Sequence, residues 1–191
     1  MGYHHGDLRA ALILAGIELI AEKGFAGLSV AEAARRTGVS AAAPYRHFGN
    51  REEFLLAIAT EAGRAMGDQL ERALGQTDDP LEQIEAVTET YVTFMIAHKA
   101  GFDLVFAAEL RDCDNGELRT AGRHVIDLFM SPCIAVSPDM MRAIELSESL
   151  WTTAHGFAGL YLTGFWTEPD YVAGAARRTA RLLAQAAQSV R

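Results

Sequence analysis

The chain has 191 residues, is 50% hydrophobic and holds 5 Pro, enough apolar content to bury a sizeable core and too much for intrinsic disorder. Its 17 Lys and Arg against 25 Asp and Glu give a formal charge of −8, which excludes a uniformly basic nucleic-acid binder but not a local basic face. Two cysteines, Cys113 and Cys133, cannot frame a disulfide scaffold and lack metal-ligand spacing; reduced thiols are the plain reading and a redox site the alternative.

The chain opens with His4, His5 and Asp7, where a secretory signal would place Lys or Arg and an apolar core. Leu8, Leu12, Ala15 and Leu19 then follow helical spacing, and this first helix ends at Gly24, just after Lys23. Ser29-Val30-Ala31-Glu32 is a capping box that opens a short second helix, ended by Gly38. Ser40 caps a third helix, which Phe48-Gly49 ends. Asn50, with Glu53 three residues on, opens a fourth that runs towards Gly75. Asp79-Pro80 starts a helix to about Lys99. Gly101 to Arg111 reads as another, and residues 112–116 as a loop. A helix from Glu117 to about Met130 is weakened by Ser131-Pro132. Pro138-Asp139 begins one reaching Trp166, and Glu168-Pro169-Asp170 opens the last. The chain is therefore expected to be all-α, with about nine helices and no strands. The uncharged stretch between Glu148 and Glu168 nearly matches a bilayer in length, but its Thr, Gly and His content and its lack of Lys/Arg flanks favour a buried helix.

Charge is unevenly placed. Residues 1–51 carry Arg9, Lys23, Arg35, Arg36, Arg46 and Arg51 against Asp7, Glu18, Glu22 and Glu32, a net of +2, which leaves −10 for the remainder. Only the head is suited to approach a polyanion.

Two short helices separated by Gly38-Val39-Ser40 form a helix-turn-helix pattern, with a plain corner between two helices as the alternative. Ala33 and Ala34 are small enough for a close crossing, Gly38 permits the positive φ of a tight turn, and Val39 plugs the junction. The third helix would be roughly 12 Å long, matching a major groove about 12 Å wide. Tyr45, Arg46 and His47 set three polar donors beside the apolar Phe48. Arg51 stands in the first turn of the fourth helix, where its charge opposes the helix dipole unless a phosphate sits there.

The stretch GVSAAAPYRHFGNREEFLLAI, with the preceding YHHGDLRAALILAGIELIAEKGFAGLSV, resembles the DNA-binding head of the tetracycline-repressor family of transcription regulators. The likeness covers about the first 60 residues. Further on, Trp151, His155 and Gly156 in WTTAHGFAGL are similar to the Trp-His-Gly signature of one type of regulatory domain in that family. The resemblance implies a helix-turn-helix head over residues 1–50 and a ligand-binding, dimerising body over 51–191. It implies a homodimer that binds a palindromic double-stranded operator, acts as a repressor and is released by a small molecule. By motif position, Ala41 and Ala42 fall where bases are touched. Tyr45, His47 and Arg51 fall where phosphates are held, with Ser29 near another and Ser40 at the helix start.

The sequence departs from a hydrogen-bonding reader here. Ala41, Ala42 and Ala43 can only pack, for instance against a thymine methyl, so direct polar readout is left to Arg46 or Tyr45. Pro44 stands in the first turn after Ser40, where it is expected to remove a single early backbone bond.

In the body, Tyr91, Phe94, Met95, His98, Phe102 and Phe106 recur at helical spacing, followed by Phe129, Met130, Met140, Met141, Trp151, His155, Tyr161 and Phe165. Ordinary core is the plain reading for each. Taken together, large apolar groups with a few polar tips suggest a pocket for an apolar or aromatic guest, with Phe94, His98, Phe102, Phe129, Trp151, His155 and Tyr161 as candidate contacts. Ala154, Ala158 and Gly159, with the apolar side of the last helix, are expected to form a dimer seam. Arg177, Arg178 and Arg181 are expected on a solvated face or paired with Glu145 and Glu148. No catalytic motif, cofactor loop or metal-ligand spacing occurs, so no enzyme is expected. The alternative function is a helical ligand-sensing or interaction module that does not bind DNA.

Overall fold

The computed structural model describes residues 7–99 and 115–189. Among them are seven α-helices and no strand: α1 (Leu8–Lys23), α2 (Val30–Arg36), α3 (Arg51–Leu74), α4 (Pro80–Ala97), α5 (Gly116–Val136), α6 (Met140–Leu162) and α7 (Pro169–Ser189). Among the described residues the all-α expectation holds, with seven helices where that stretch of sequence predicts eight of the chain's about nine. The segment after Ser40 is a turn followed by a single 3₁₀ turn, Pro44–Arg46, and not an α-helix. The expected helix Gly101 to Arg111 lies outside the described residues, as do Phe102, Phe106 and Cys113.

The helix boundaries follow local chemistry. Asp7 Oδ1 accepts from the Ala10 N–H (3.0 Å), Ser29 Oγ from Glu32 (3.3 Å), Asn50 Oδ1 from Glu53 (2.9 Å) and Asp139 Oδ1 from Arg142 (2.9 Å). Glu53 returns the bond by accepting from the Gly49 N–H at 2.8 Å. Glu32 does not; its carboxylate is drawn to Arg35 and Arg36 instead. Two boundaries differ from expectation. α5 runs on through Pro132 to Val136, with Pro132 and Cys133 buried, so apolar burial outweighs the lost backbone bond. α6 stops at Leu162, because Gly164 takes φ +80° and the N–H groups of Gly164 and Phe165 close on the carbonyls of Tyr161 and Leu160.

The described residues divide into two compact units, one of residues 7–63 with 98–99 and 115–119, the other of residues 64–97 with 120–189. In the first, Leu12, Leu19 and Ile20 of α1 pack with Leu28, Val30 and Ala33 around α2 and with Phe48, Phe54, Leu55 and Ile58. A Cβ on Gly16 would lie 2.3 Å from Ile58 Cδ1, so α1 and α3 cross at a distance that excludes a side chain there. Arg36 bonds Glu22 and reaches Glu32, tying α2 to α1.

In the second unit, α4, α6 and α7 pack together. Small residues make this possible: Ala154 and Ala158 of α6 and Ala176, Ala180 and Ala184 of α7 are fully buried. Ala154 and Ala158 are thus spent inside the protomer and do not form the surface of a dimer seam. Burial pushes the Cys133 thiol up to about 12, which makes it an inert core group.

The arginines of α7 do form ion pairs, with α4 and not with Glu145 and Glu148. Glu85, only 5% exposed, accepts from Arg177 Nε (2.9 Å) and from Arg181, and Arg177 also reaches Glu89 at 2.8 Å. Glu145 pairs with Arg142 instead. A buried carboxylate stripped of its partners is costly. Arg177→Met with Arg181→Met is therefore expected to lower stability by about 2 kcal/mol in urea unfolding, less than for a dry pair because both arginines are about half exposed. Adding Glu85→Leu should recover most of the loss.

Candidate nucleic-acid interface and aromatic cluster

The segment between α2 and α3 is built from the inside out. Gly38 adopts φ +73°, letting the chain reverse after Thr37. The Ala43 N–H then donates to the Ser40 carbonyl (2.9 Å). An α-helix would require the next N–H at position 44 to continue the ladder, and proline has none. The chain tightens to i→i+3 bonds, Arg46 to Ala43 (3.2 Å) and His47 to Pro44 (2.9 Å), and Phe48 also donates to Pro44 (2.9 Å). Ser40 thus contributes its carbonyl to a turn and does not cap a regular third helix.

Two residues of the segment face inward. Pro44 and Phe48 are buried, and the Phe48 ring lies 4.9 Å from that of Phe54. The others face out: Ser40, Ala41, Ala42, Tyr45, Arg46 and His47 are exposed, Tyr45 by 56%, and Ala43 is half-buried. Ser29 is half-buried with its hydroxyl engaged in the α2 cap. Arg51 is exposed, and its Nε donates to the Leu28 carbonyl at 3.3 Å. The eight residues expected to meet DNA therefore lie within one turn and the two helix starts beside it.

The charges sort themselves between two places. Arg35 hydrogen-bonds Glu32 and, with lesser help from Lys23 and Arg36, holds its carboxyl down to about 2; Arg36 likewise lowers Glu22. The cations of α2 are thus neutralised locally. Arg46 has no ion-pair partner among the described residues, so its charge stands on the exposed turn. Arg9 is a contributor that the sequence reading did not single out. Its guanidinium lies over the Phe48 ring, 5.5 Å from the centroid. The spacing from Arg9 to Phe48 is long, and no local pattern announces it.

In the second unit, Phe129, Trp151 and His155 gather around Tyr91. The Tyr91 hydroxyl and His155 Nδ1 are 2.7 Å apart. Trp151 stacks on His155 with centroids 5.4 Å apart, and Phe129 meets Tyr91 edge-on at 5.7 Å. Phe94 is buried and Tyr161 half-buried. His98 is exposed and belongs to the other unit. Met140, Met141 and Phe165 are exposed, so they are not core in this protomer. Tyr91, the hub, was visible in the sequence as one aromatic among many on α4. A separate groove of about 580 Å³ lies along α3, α4 and α7, with Gln69, Gln76, Glu82, Glu89 and Arg177 in its walls; none of the six candidate ligand contacts among the described residues lines it. No described helix is long and apolar enough to cross a membrane.

Two family models match this chain. Residues 12–58, which include the turn and both flanking helix starts, match the bacterial regulatory proteins of the tetR family. Residues 84–185, more than half of the chain, match the tetracyclin repressor-like C-terminal domain. The chain belongs to the tetR family of bacterial regulatory proteins. The regulator BetI of Brucella anthropi is 35% identical over 79 residues, which are 41% of this chain and 41% of that protein. The match thus spans about two fifths of this curated relative. A Rhodococcus sp. RHA1 protein of unknown function has a closely similar structure, with TM-score 0.81 at 28% identity over 95% of this chain and 97% of the other. FadR from Bacillus subtilis, solved in complex with stearoyl-CoA, shares the fold with TM-score 0.69 at 17% identity, over 92% of this chain and 97% of that one.

The aromatic cluster lies within the C-terminal match and has a pH signature. Burial disfavours the imidazolium and holds His155 below the usual histidine range. Burial also raises the Tyr91 hydroxyl, partly offset by Trp151. On acidification the unfolded chain takes up the His155 proton first. The stability this group contributes is complete above about pH 6.5 and is lost as pH falls below it. Chemical unfolding midpoints should therefore rise as pH is raised towards about 6.5, and His155→Gln should flatten that segment of the profile.

Proposed function

We propose that this chain is a transcription regulator that binds a palindromic duplex operator as a homodimer, represses from it, and is released by a small apolar or aromatic effector. The observation that carries the DNA reading is the outward face of residues 40–47, standing on the buried Pro44 and Phe48 and presenting Tyr45, Arg46 and His47 to solvent. A polyanion is the partner such a face suits, and an acidic body keeps contact confined to it.

Within this reading Ala41 and Ala42 approach base edges, and Arg46, helped by Tyr45, supplies polar readout. His47, Arg51, Ser29 and Tyr45 hold backbone phosphates. Arg9 joins them as a further phosphate contact, supported by its place over Phe48 beside the turn. The homodimer reading is supported by Leu160, Tyr171 and Leu182 on α6 and α7, which are exposed large apolar groups. For the effector, Phe94, Phe129, Trp151, His155 and Tyr161, all of the second unit, are proposed as contacts. The stearoyl-CoA held by FadR supports a fold able to house an apolar guest. Coupling would run along α3, an unbroken helix that starts with Arg51, and it requires that the effector favour one of two arrangements. The site of action is the cytoplasm, and no catalytic step is assigned.

Duplex binding measured against salt tests the reading. Binding should weaken steeply as salt rises. Arg46→Ala should relax preference at one base pair per half-site, whereas Arg51→Ala should weaken all sequences alike and lower the salt slope by about one. Equal losses for both variants on specific and random DNA would refute these roles. In sedimentation at micromolar concentration the protein should run as a dimer, and a monodisperse monomer would refute the assembly.

A further inference from the structure

The exposed turn has a chemical peculiarity that narrows what it can read. Two of its outward residues, Ala41 and Ala42, offer methyl groups and nothing else, and the third alanine, Ala43, is half-buried with its N–H spent on Ser40. A methyl pressed against a donor or acceptor on a base edge strips that group of water and returns no hydrogen bond. Guanine, adenine and cytosine edges are therefore disfavoured opposite these side chains. The major groove contains one apolar group, the C5-methyl of thymine. A short side chain reaches it only if the backbone comes close, and the buried Pro44 and Phe48 hold the turn in a fixed position for such an approach.

We propose that Ala41 and Ala42 form a methyl-reading surface that selects thymines at one or two adjacent positions in each operator half-site, with polar readout confined to the flanking Arg46 and Tyr45. This rests on the DNA-binding reading above and adds the chemical group recognised. It makes Ala41 and Ala42 specificity-determining residues through what they exclude as much as through what they contact.

The test uses the full chain. Duplexes bound from a randomised pool are selected, and each thymine of the enriched half-site is then replaced by deoxyuridine, which removes the methyl and leaves every hydrogen-bonding group in place. At one or two positions per half-site, uracil should weaken binding about three- to fivefold for each methyl removed. Symmetric replacement in both half-sites should multiply the losses. Ala41→Gly or Ala42→Gly, checked for an unchanged unfolding transition, should bind less tightly but lose the uracil penalty at the matching position. An enriched site without thymine, uracil duplexes bound within twofold of the parent, or a penalty undiminished in both glycine variants would each overturn the proposal while leaving DNA binding intact. Failure to bind any duplex in a salt-dependent way would overturn the functional reading and this inference with it.

Discussion

Phe48 is the anchor on which the outward face of the head depends. It reaches into the core shared by α1, α2 and the start of α3, and it donates its N–H to the same Pro44 carbonyl that accepts from His47. Those two constraints, one apolar and one polar, leave the intervening residues little choice of direction. With Pro44 and Phe48 turned in, Tyr45, Arg46 and His47 must turn out. A turn this short has too few backbone bonds to hold itself, so its geometry is borrowed from the core beneath it. Substitutions at Phe48 are therefore felt at the surface without touching any exposed residue.

Electrostatics works with that anchor. The head's formal excess of +2 is small, and placed at random it would do little at physiological ionic strength. Pairing redistributes it. Glu22 and Glu32 occupy Arg35 and Arg36, and so remove positive potential from the outer flank of α2. Arg9 and Arg46, near the turn, are not drawn into these pairs. The acidic residues of the head thus focus its charge. The same device appears in the second unit, where Glu85 and Glu89 pair with Arg177 and Arg181.

Much of this was legible in the sequence, because the relevant signals are local. Ser29, Asn50, Asp79 and Asp139 fall at helix starts, and Gly24 and Gly38 at positive φ, since caps and turns involve residues within a few positions of one another. Pro44 differs from expectation: in the first turn of a short third helix it is expected to cost one early bond, and so short a segment cannot spare even one. Pro132 was misjudged in the opposite sense, since burial of α5 decided the matter. Longer-range choices were out of reach. Arg177 could have met Glu145 or Glu89 on equal sequence grounds, and only packing of α7 on α4 selects the latter. The same holds for Ala154 and Ala158: small residues announce a close crossing but not whether the neighbour is the same chain or another. Arg9 over Phe48 and Tyr91 against His155 are pairings across 39 and 64 positions, without periodicity to betray them.

A reader built from two methyl groups looks weak beside one armed with glutamine or arginine, but its selectivity has a different source. A long polar side chain can swing to satisfy an alternative base, or recruit a water to do so. An alanine has no side-chain torsion with which to re-aim, so under the proposed reading a mismatched polar edge would stay buried and unsatisfied. Discrimination then comes from the penalty on wrong sequences, and it needs rigidity more than contact area. In a symmetric dimer each such penalty is incurred twice on a palindrome, so modest selectivity in one head becomes the square of itself in two. Under the proposed reading, rigidity of the Ser40–Phe48 segment is the property on which specificity would turn, and a buried proline and phenylalanine are residues suited to supply it.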